Sequence, residues 1–207
     1  LKTLAILGAG HLGQQIAHYA ISDGHFDTIV FFDDVVTQNE VLGFPVLGRT
    51  ADVADAYAQG KFDQALIGIG YNHLPIRQKM FESADVPFAT IVHSTSWVDP
   101  SAKVEAGCVI YPGCCIDAHA VISQNSILNL GCTISHDTVV GPHSFLSPRV
   151  ALAGFVKTGS RCILGINSTV IDSVEIADDV QLGGGTVVIQ SLTQSGLYVG
   201  NPHRFIR

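Results

Sequence analysis

Leu128-Asn129-Leu130-Gly131-Cys132-Thr133-Ile134-Ser135-His136-Asp137-Thr138-Val139-Val140 places an aliphatic residue at 128, 134 and 140. Cys132 and Thr138, small or β-branched, follow the first two of these at four places' distance. A six-residue period fits neither a helix of about 3.6 residues per turn nor the two-residue alternation of an ordinary strand. Followed outward, the phase holds from Val98 to Val188 without a slip: sixteen positions, of which only Thr158 is not aliphatic. The residue four places on is small or β-branched after each of the first fifteen, from Ala102 through Cys108 and Cys162 to Thr186. This is the signature of a hexapeptide parallel β-helix, with one short strand and one corner per repeat. The aliphatic side chain fills the interior and the small one fits where the chain turns inward.

Length and composition bound the rest. The 207 residues allow one or two domains with ample chain for a core. A net charge of −7 and the absence of a Lys/Arg run argue against nucleic acid and anionic membrane as partners. No apolar run reaches membrane-spanning length, and Leu1-Lys2-Thr3-Leu4 leads into a strand rather than a cleavable signal, so a cytoplasmic protein is expected. The five cysteines include no CxxC pair. Four of them, Cys108, Cys114, Cys132 and Cys162, hold the small position of a hexad and are expected to be buried thiols acting as small hydrophobes.

Ahead of the repeats, Leu4-Ala5-Ile6-Leu7 predicts a buried strand. Gly8-Ala9-Gly10-His11-Leu12-Gly13 follows, then a helix marked by Leu12, Ile16, Tyr19 and Ala20, and a second strand over residues 28–32 ending in Asp33-Asp34. Strand, glycine loop, helix and an acid twenty residues after Gly13 match the dinucleotide fingerprint. Glycines allow close backbone approach, and a helix N-terminus offers unpaired N–H groups to phosphate. The alternative is a glycine turn that merely packs helix on strand. Only about ninety residues precede the repeats, enough for one mononucleotide half. Strands over 64–68 and 88–92 and a helix over 75–81 complete a small α/β unit, while 43–48 reads as a loop and short edge strand. The expected architecture is an α/β domain, half of a Rossmann fold, over residues 1–92, followed by the β-helix over 93–207.

With its unbroken hexads, its Ser135-His136-Asp137, its Leu164-Gly165-Ile166-Asn167-Ser168 and its closing Gly200-Asn201-Pro202, the chain resembles the left-handed β-helix acyltransferases. Within these it is most similar to the sugar O-acyltransferase family of sialic-acid O-acetyltransferases and nucleotide-aminosugar N-acetyltransferases. That resemblance includes the N-terminal α/β domain and implies three hexads per triangular coil, so that residues eighteen apart stack in about five coils. It implies a nucleotide sugar held at Gly10, His11, Asp33, Asp34 and Gly70, although the family loop usually carries an extra residue before the His. It implies His136 as general base, Asp137 as the group that orients it and raises its basicity, and Asn129 near the acceptor amine. Coenzyme A is expected along Ile166 and Gly184, with bare glycine corners giving the pantetheine arm room. Phe145 stands where the family often has a coenzyme-contacting histidine; whether His143 replaces it is open.

The chemistry suits the residues: an amine attacking a thioester must lose a proton, and an imidazole serves as the base. The hexad phase puts His136 and Asp137 on a flat strand between interior Ile134 and Thr138, where neighbouring side chains do not easily bond. His119, His136 and His143, spaced 17 and 7 apart, do not match the short His pair of the zinc-binding β-helix enzymes, so no metal is expected. His136 has a plain alternative as one surface histidine among nine. The implied activity is acetyl-CoA-dependent N-acetylation of a nucleotide-linked amino sugar by a homotrimer. The rivals are sugar O-acetylation, a non-catalytic nucleotide-binding scaffold and an NAD-linked role.

Overall fold

In the computed structural model, which describes residues 1–207, the six-residue period becomes a three-sided prism. Sixteen short strands, from Trp97–Val98 to Val187–Val188, fall in rotation onto three parallel sheets. The first face holds Trp97–Val98, Cys115–Ile116, Thr133–Ile134 and their successors; the second starts at Lys103–Val104 and the third at Val109–Ile110. Each residue pairs with the one eighteen places on, as in Thr133 with Ala151 and Ile134 with Leu152. The interior aliphatics, Ile110, Ile116, Ile122, Leu128, Ile134 and Val140 among them, are 0% exposed. Burial of each such side chain contributes about 1.5–3 kcal/mol. The tail extends the third face, with Gly196–Val199 parallel to Val180–Leu182 and Arg204–Phe205 antiparallel to Gly196–Val199.

The corners obey two rules. Backbone φ is positive at every sixth residue from Gly107 to Gly185, fourteen positions of which four are glycine. The next residue, the small one, bonds rather than merely fits. The Thr138 hydroxyl donates to Ala153 O (2.7 Å) and Ser126 to Gly141 O (3.1 Å), always fifteen residues on. The thiols of Cys108, Cys114, Cys132 and Cys162 donate to the equivalent carbonyls at 3.1–3.3 Å. These cysteines are buried, but their role as small hydrophobes is incomplete: each is also a weak donor that satisfies a corner carbonyl. Burial pushes the Cys162 thiol up to about 12, which keeps its proton in place.

The chain divides into two units, Leu1–Ile91 and Val92–Arg207. The first is a five-stranded sheet. Its strands are β1 (Thr3–Leu7), β2 (Thr28–Phe32), β3 (Glu40–Val41), β4 (Phe44–Gly48) and β5 (Gln64–Ile67), in the order β3-β4-β2-β1-β5. The helices are α1 (His11–Ser22), α2 (Val53–Ala58) and α3 (Leu74–Ser83). Leu7, Phe32 and Ile67 pack with Val53 and Phe62 in one cluster, and Ile6, Ile16 and Ala20 are buried as well. Two expectations need correcting. The segment 43–48 is inside the sheet, between β3 and β2, because the Glu40–Val41 hairpin arm takes the edge. The strand expected over 88–92 shrinks to Ile91–Val92, with Phe88 meeting Ala65 at a single bridge. No helix is long and apolar enough to cross a membrane.

Candidate active site

His136 and Asp137 do not lie on a flat strand. The strand ends at Ile134, and the pair forms the corner between the first and second faces. Asp137 takes the left-handed conformation there, with φ of 57°. That turn folds its carboxylate back toward the preceding ring, and His136 Nδ1 lies 3.0 Å from Asp137 Oδ2. An ionised carboxylate only accepts, so Nδ1 carries the hydrogen and Nε2 keeps its lone pair. Both side chains are part-exposed, 49% and 39%. Eighteen residues on, Gly154 packs against the far side of the ring: a Cβ built there would stand 2.8 Å from Nε2 and from Cε1. Phe155 meets the imidazole edge to face, with centroids 5.1 Å apart. Along the adjoining first face runs a groove of about 350 Å³ whose lining includes Ser135 and Ala153, the residues just before His136 and Gly154.

The other prism residues fall elsewhere. Asn129, Ile166 and Gly184 share the corner between the third and first faces. Asn129 Oδ1 accepts the Leu130 N–H at 2.7 Å. Ile166 is 50% exposed, and a Cβ on Gly184 would reach its Cγ2 at 3.1 Å, so these two form one surface. Phe145 is on the third face, with only 5% of its surface open. His143 occupies the remaining corner, buried, where its Nδ1 accepts from the Asn125 amide at 2.9 Å. A single prism therefore gathers His136 with Asp137, and Ile166 with Gly184, on two different edges. No group of three His, Cys, Asp or Glu side chains is placed to hold a metal ion.

In the N-terminal unit, Gly8, Gly13 and Gly68 are packing glycines: a side chain on Gly13 or Gly68 would collide with the Gly8 carbonyl. Gly10 and Gly70 are different, since a Cβ on either would meet nothing within 4 Å. Gly10 caps α1 without a side-chain bond, His11 is exposed on its first turn, and that turn holds no acid. Gly70 caps the short 3₁₀ turn at residues 71–73. The N-termini after β1 and β5, neighbouring strands, thus present uncapped backbone to the outside.

The two acids are already engaged. Asp33 accepts N–H bonds from Ala9 (2.7 Å), Val35 (2.8 Å) and Val36 (2.8 Å). Burial alone would raise its carboxyl, but these N–H groups outweigh it and hold the carboxyl below the usual range. Asp34 accepts from the Thr50 hydroxyl (2.6 Å) and lies 3.5 Å from Arg49 Nε; the Thr50 bond is the main cause that lowers it. Sequence reasoning missed Gly154 and Phe155, although each is eighteen residues from the His136-Asp137 pair. It also missed Arg77, buried to 1%, whose guanidinium donates to Ile67 O (2.7 Å) and Ile69 O (3.1 Å) and fixes the loop leading to Gly70. Its signal was a lone arginine three residues after Leu74 on the apolar side of α3.

Comparison with known proteins bears on this arrangement. Residues 3–84 match the family described as the PglD N-terminal domain. The acetyltransferase domain of PglB from Neisseria gonorrhoeae superposes with a TM-score of 0.92 at 27% identity over 100% of both chains. That domain has also been solved with acetyl coenzyme A. GDP-perosamine N-acetyltransferase from Caulobacter crescentus, solved with CoA and GDP-perosamine and with one histidine replaced by alanine, gives 0.89 at 27% identity. It covers 100% of this chain and 98% of its own. UDP-3-O-acylglucosamine N-acyltransferase from Delftia acidovorans is 41% identical over 51 residues, 25% of this chain, and the match spans only 15% of that relative's length. The prism is thus a left-handed β-helix like that of its structural neighbours. Ahead of that prism stands the match to the PglD N-terminal domain, so that along its whole length the chain is similar to these acetyltransferases.

Proposed function

We propose that this protein transfers the acetyl group of acetyl-CoA to the amino group of a nucleotide-linked amino sugar. The observation that carries the proposal is the His136–Asp137 corner: a carboxylate on Nδ1, a free lone pair on Nε2, and bare Gly154 beside it. Nε2 takes a proton as the amine attacks the thioester carbonyl. The tetrahedral adduct collapses with cleavage of the C–S bond, and the imidazolium returns its proton to the departing thiolate of coenzyme A. The amide and free coenzyme A are the products, and no covalent enzyme intermediate is required.

The nucleotide's phosphates fit the uncapped N-termini at Gly10 and Gly70, with His11 beside them. Asp33 and Asp34 act mainly by shaping that loop, since their oxygens are taken up by protein donors. Coenzyme A is assigned to the Ile166–Gly184 surface, with Asn129 on the same edge and Phe145 contributing at most a small open area. Because base and coenzyme surface occupy different edges of one prism, the reading calls for a homotrimer in which one copy's edge faces its neighbour's. The GDP-perosamine enzyme, of the same fold over its whole length, supports a nucleotide amino sugar as acceptor.

Incubating the protein with acetyl-CoA and a panel of nucleotide amino sugars, with mass detection of a 42-Da gain on the sugar, tests this reading; the gain is about the mass of one acetyl group less a proton. A gain on an amino sugar and none on its hydroxyl counterpart is the expected result. Acetylation of sialic acid instead, or of nothing, would sink it.

A further inference from the structure

Phe155 is out of place by every rule of stability. It occupies the left-handed corner position, with φ of 60°. The nine other non-glycine residues that share this angle in the prism are all polar. A left-handed backbone is unfavourable for an L-residue, and Asn or Asp relieve it by local hydrogen bonding while Phe does not. Its side chain is also 53% exposed, so burial does little to repay the strain. What the position gains is the imidazole. Phe155 N–H donates to His136 O at 3.2 Å, and its ring stands against the His136 ring at 86° with centroids 5.1 Å apart. Asp137 fixes one nitrogen of His136, and the other lies against Gly154, where a side chain would not fit. Beyond that bond and the Gly154 backbone, the Phe155 ring is the side chain that flanks this part-exposed imidazole.

We propose that Phe155 is a positioning residue, an aromatic stop kept at a strained corner to hold the His136 ring with Nε2 over Gly154. The inference rests on His136 being the base of the proposed transfer, and it adds the wall that aims it. Edge-to-face packing fixes a ring plane that an aliphatic or amide side chain leaves loose. A reacting nitrogen displaced by about 1 Å loses up to about a hundredfold in rate.

Phe155→Asn separates this from a structural role because the two give opposite signs. The expected result is a higher melting temperature, from relief of the corner and removal of exposed apolar surface. It is accompanied by a fall of about tenfold or more in kcat with KM for acetyl-CoA within about twofold. Phe155→Tyr, which keeps the ring edge, should hold kcat within about threefold. A lower melting temperature with unchanged kcat in Phe155→Asn would overturn the proposal. NMR of histidine-labelled free protein reads the same point without turnover. Nuclear Overhauser contacts from the His136 ring to the Gly154 α-protons should be present in the native protein and Phe155→Tyr, and weak or lost in Phe155→Asn. Equal contacts in all three proteins would overturn the positioning role even if acetyl transfer were established. Absence of transfer by the native protein, with the contacts changing as expected, would instead sink the functional reading and leave the ring-holding role standing.

Discussion

His136 Nδ1 stands 3.0 Å from Oδ2 of Asp137, the residue that follows it, and the contact exists because the corner bends between them. In the proposed transfer the pair works as a unit: the carboxylate fixes which nitrogen carries hydrogen, and the other is left to take the proton. His136→Ala should lower kcat by about 10²–10⁴-fold with binding of acetyl-CoA unchanged by calorimetry. Asp137→Asn keeps the shape but lets the ring flip, since an amide can donate as well as accept, and a smaller loss of about tenfold is expected. Steady-state kinetics of the two variants check both, and a His136→Ala enzyme at native speed would remove the base from the mechanism.

The corner ladder makes a paired prediction with opposite signs. Thr138 is fully buried and its hydroxyl donates to Ala153 O at 2.7 Å, next to the His136–Asp137 corner. Thr138→Val removes that donor and leaves the part-buried Ala153 carbonyl short of a partner, at a cost of about 1 kcal/mol. Ser168 holds the same hexad position, also 0% exposed, yet its Oγ finds no acceptor. Ser168→Ala deletes an unsatisfied hydroxyl and should be neutral or stabilising by up to about 1 kcal/mol. Denaturant unfolding of both variants tests the contrast; destabilisation by Ser168→Ala equal to that of Thr138→Val would refute the ladder as the source of corner stability.

These residues show where sequence was informative. The prism was legible because its interior admits one kind of side chain every sixth residue, and sixteen repeats leave no alternative phase. The site was legible as a tripeptide, Ser135-His136-Asp137, but its geometry was not. A period read from interior positions says which residues point inward and nothing about the dihedral of the corner, so the resemblance implied the Asp137 contact while the flat strand expected there argued against it. Gly154 and Phe155 were hidden for a related reason: their meaning comes from stacking eighteen residues from His136 and Asp137, a contact the repeat length implies but glycine and phenylalanine alone do not announce. In the α/β unit, the acids after β2 looked like ligand groups because free carboxylates and carboxylates that tie a loop are the same letters. Only the donors around Asp33 and Asp34 tell them apart.

Asp33 gives the pH prediction. Its folded carboxyl is held below the usual value of about 3.8 by three backbone N–H groups. A group whose pKa is depressed by folding contributes stability that is complete above the unfolded value and is lost as pH falls through the folded one. The protein should therefore lose part of its stability below about pH 4, and Asp33→Asn should flatten that loss while costing about 1.5–3 kcal/mol at pH 7. Urea midpoints between about pH 3 and pH 7 for the two proteins check it, and parallel curves would show that Asp33 carries no such linkage.

The proposed split of the site across two edges allows a test by mixing. His136→Ala removes the base, and Ile166→Arg puts a charge on the proposed coenzyme surface at a side chain 50% exposed, where the core is undisturbed. Each homo-oligomer should be inactive or nearly so. If every site joins His136 of one copy to Ile166 of its neighbour, equal co-expression of the two chains gives a native His136 with probability one half and a native partner surface with probability one half. About a quarter of native activity should return over the whole population, from one native site in each mixed trimer. If both residues served a site within one copy, every chain would carry one defect and no mixture would recover. Activity of the co-purified species, set against sedimentation that establishes three copies per particle, decides between the two, and a monomeric particle with full native turnover would dismantle the shared site.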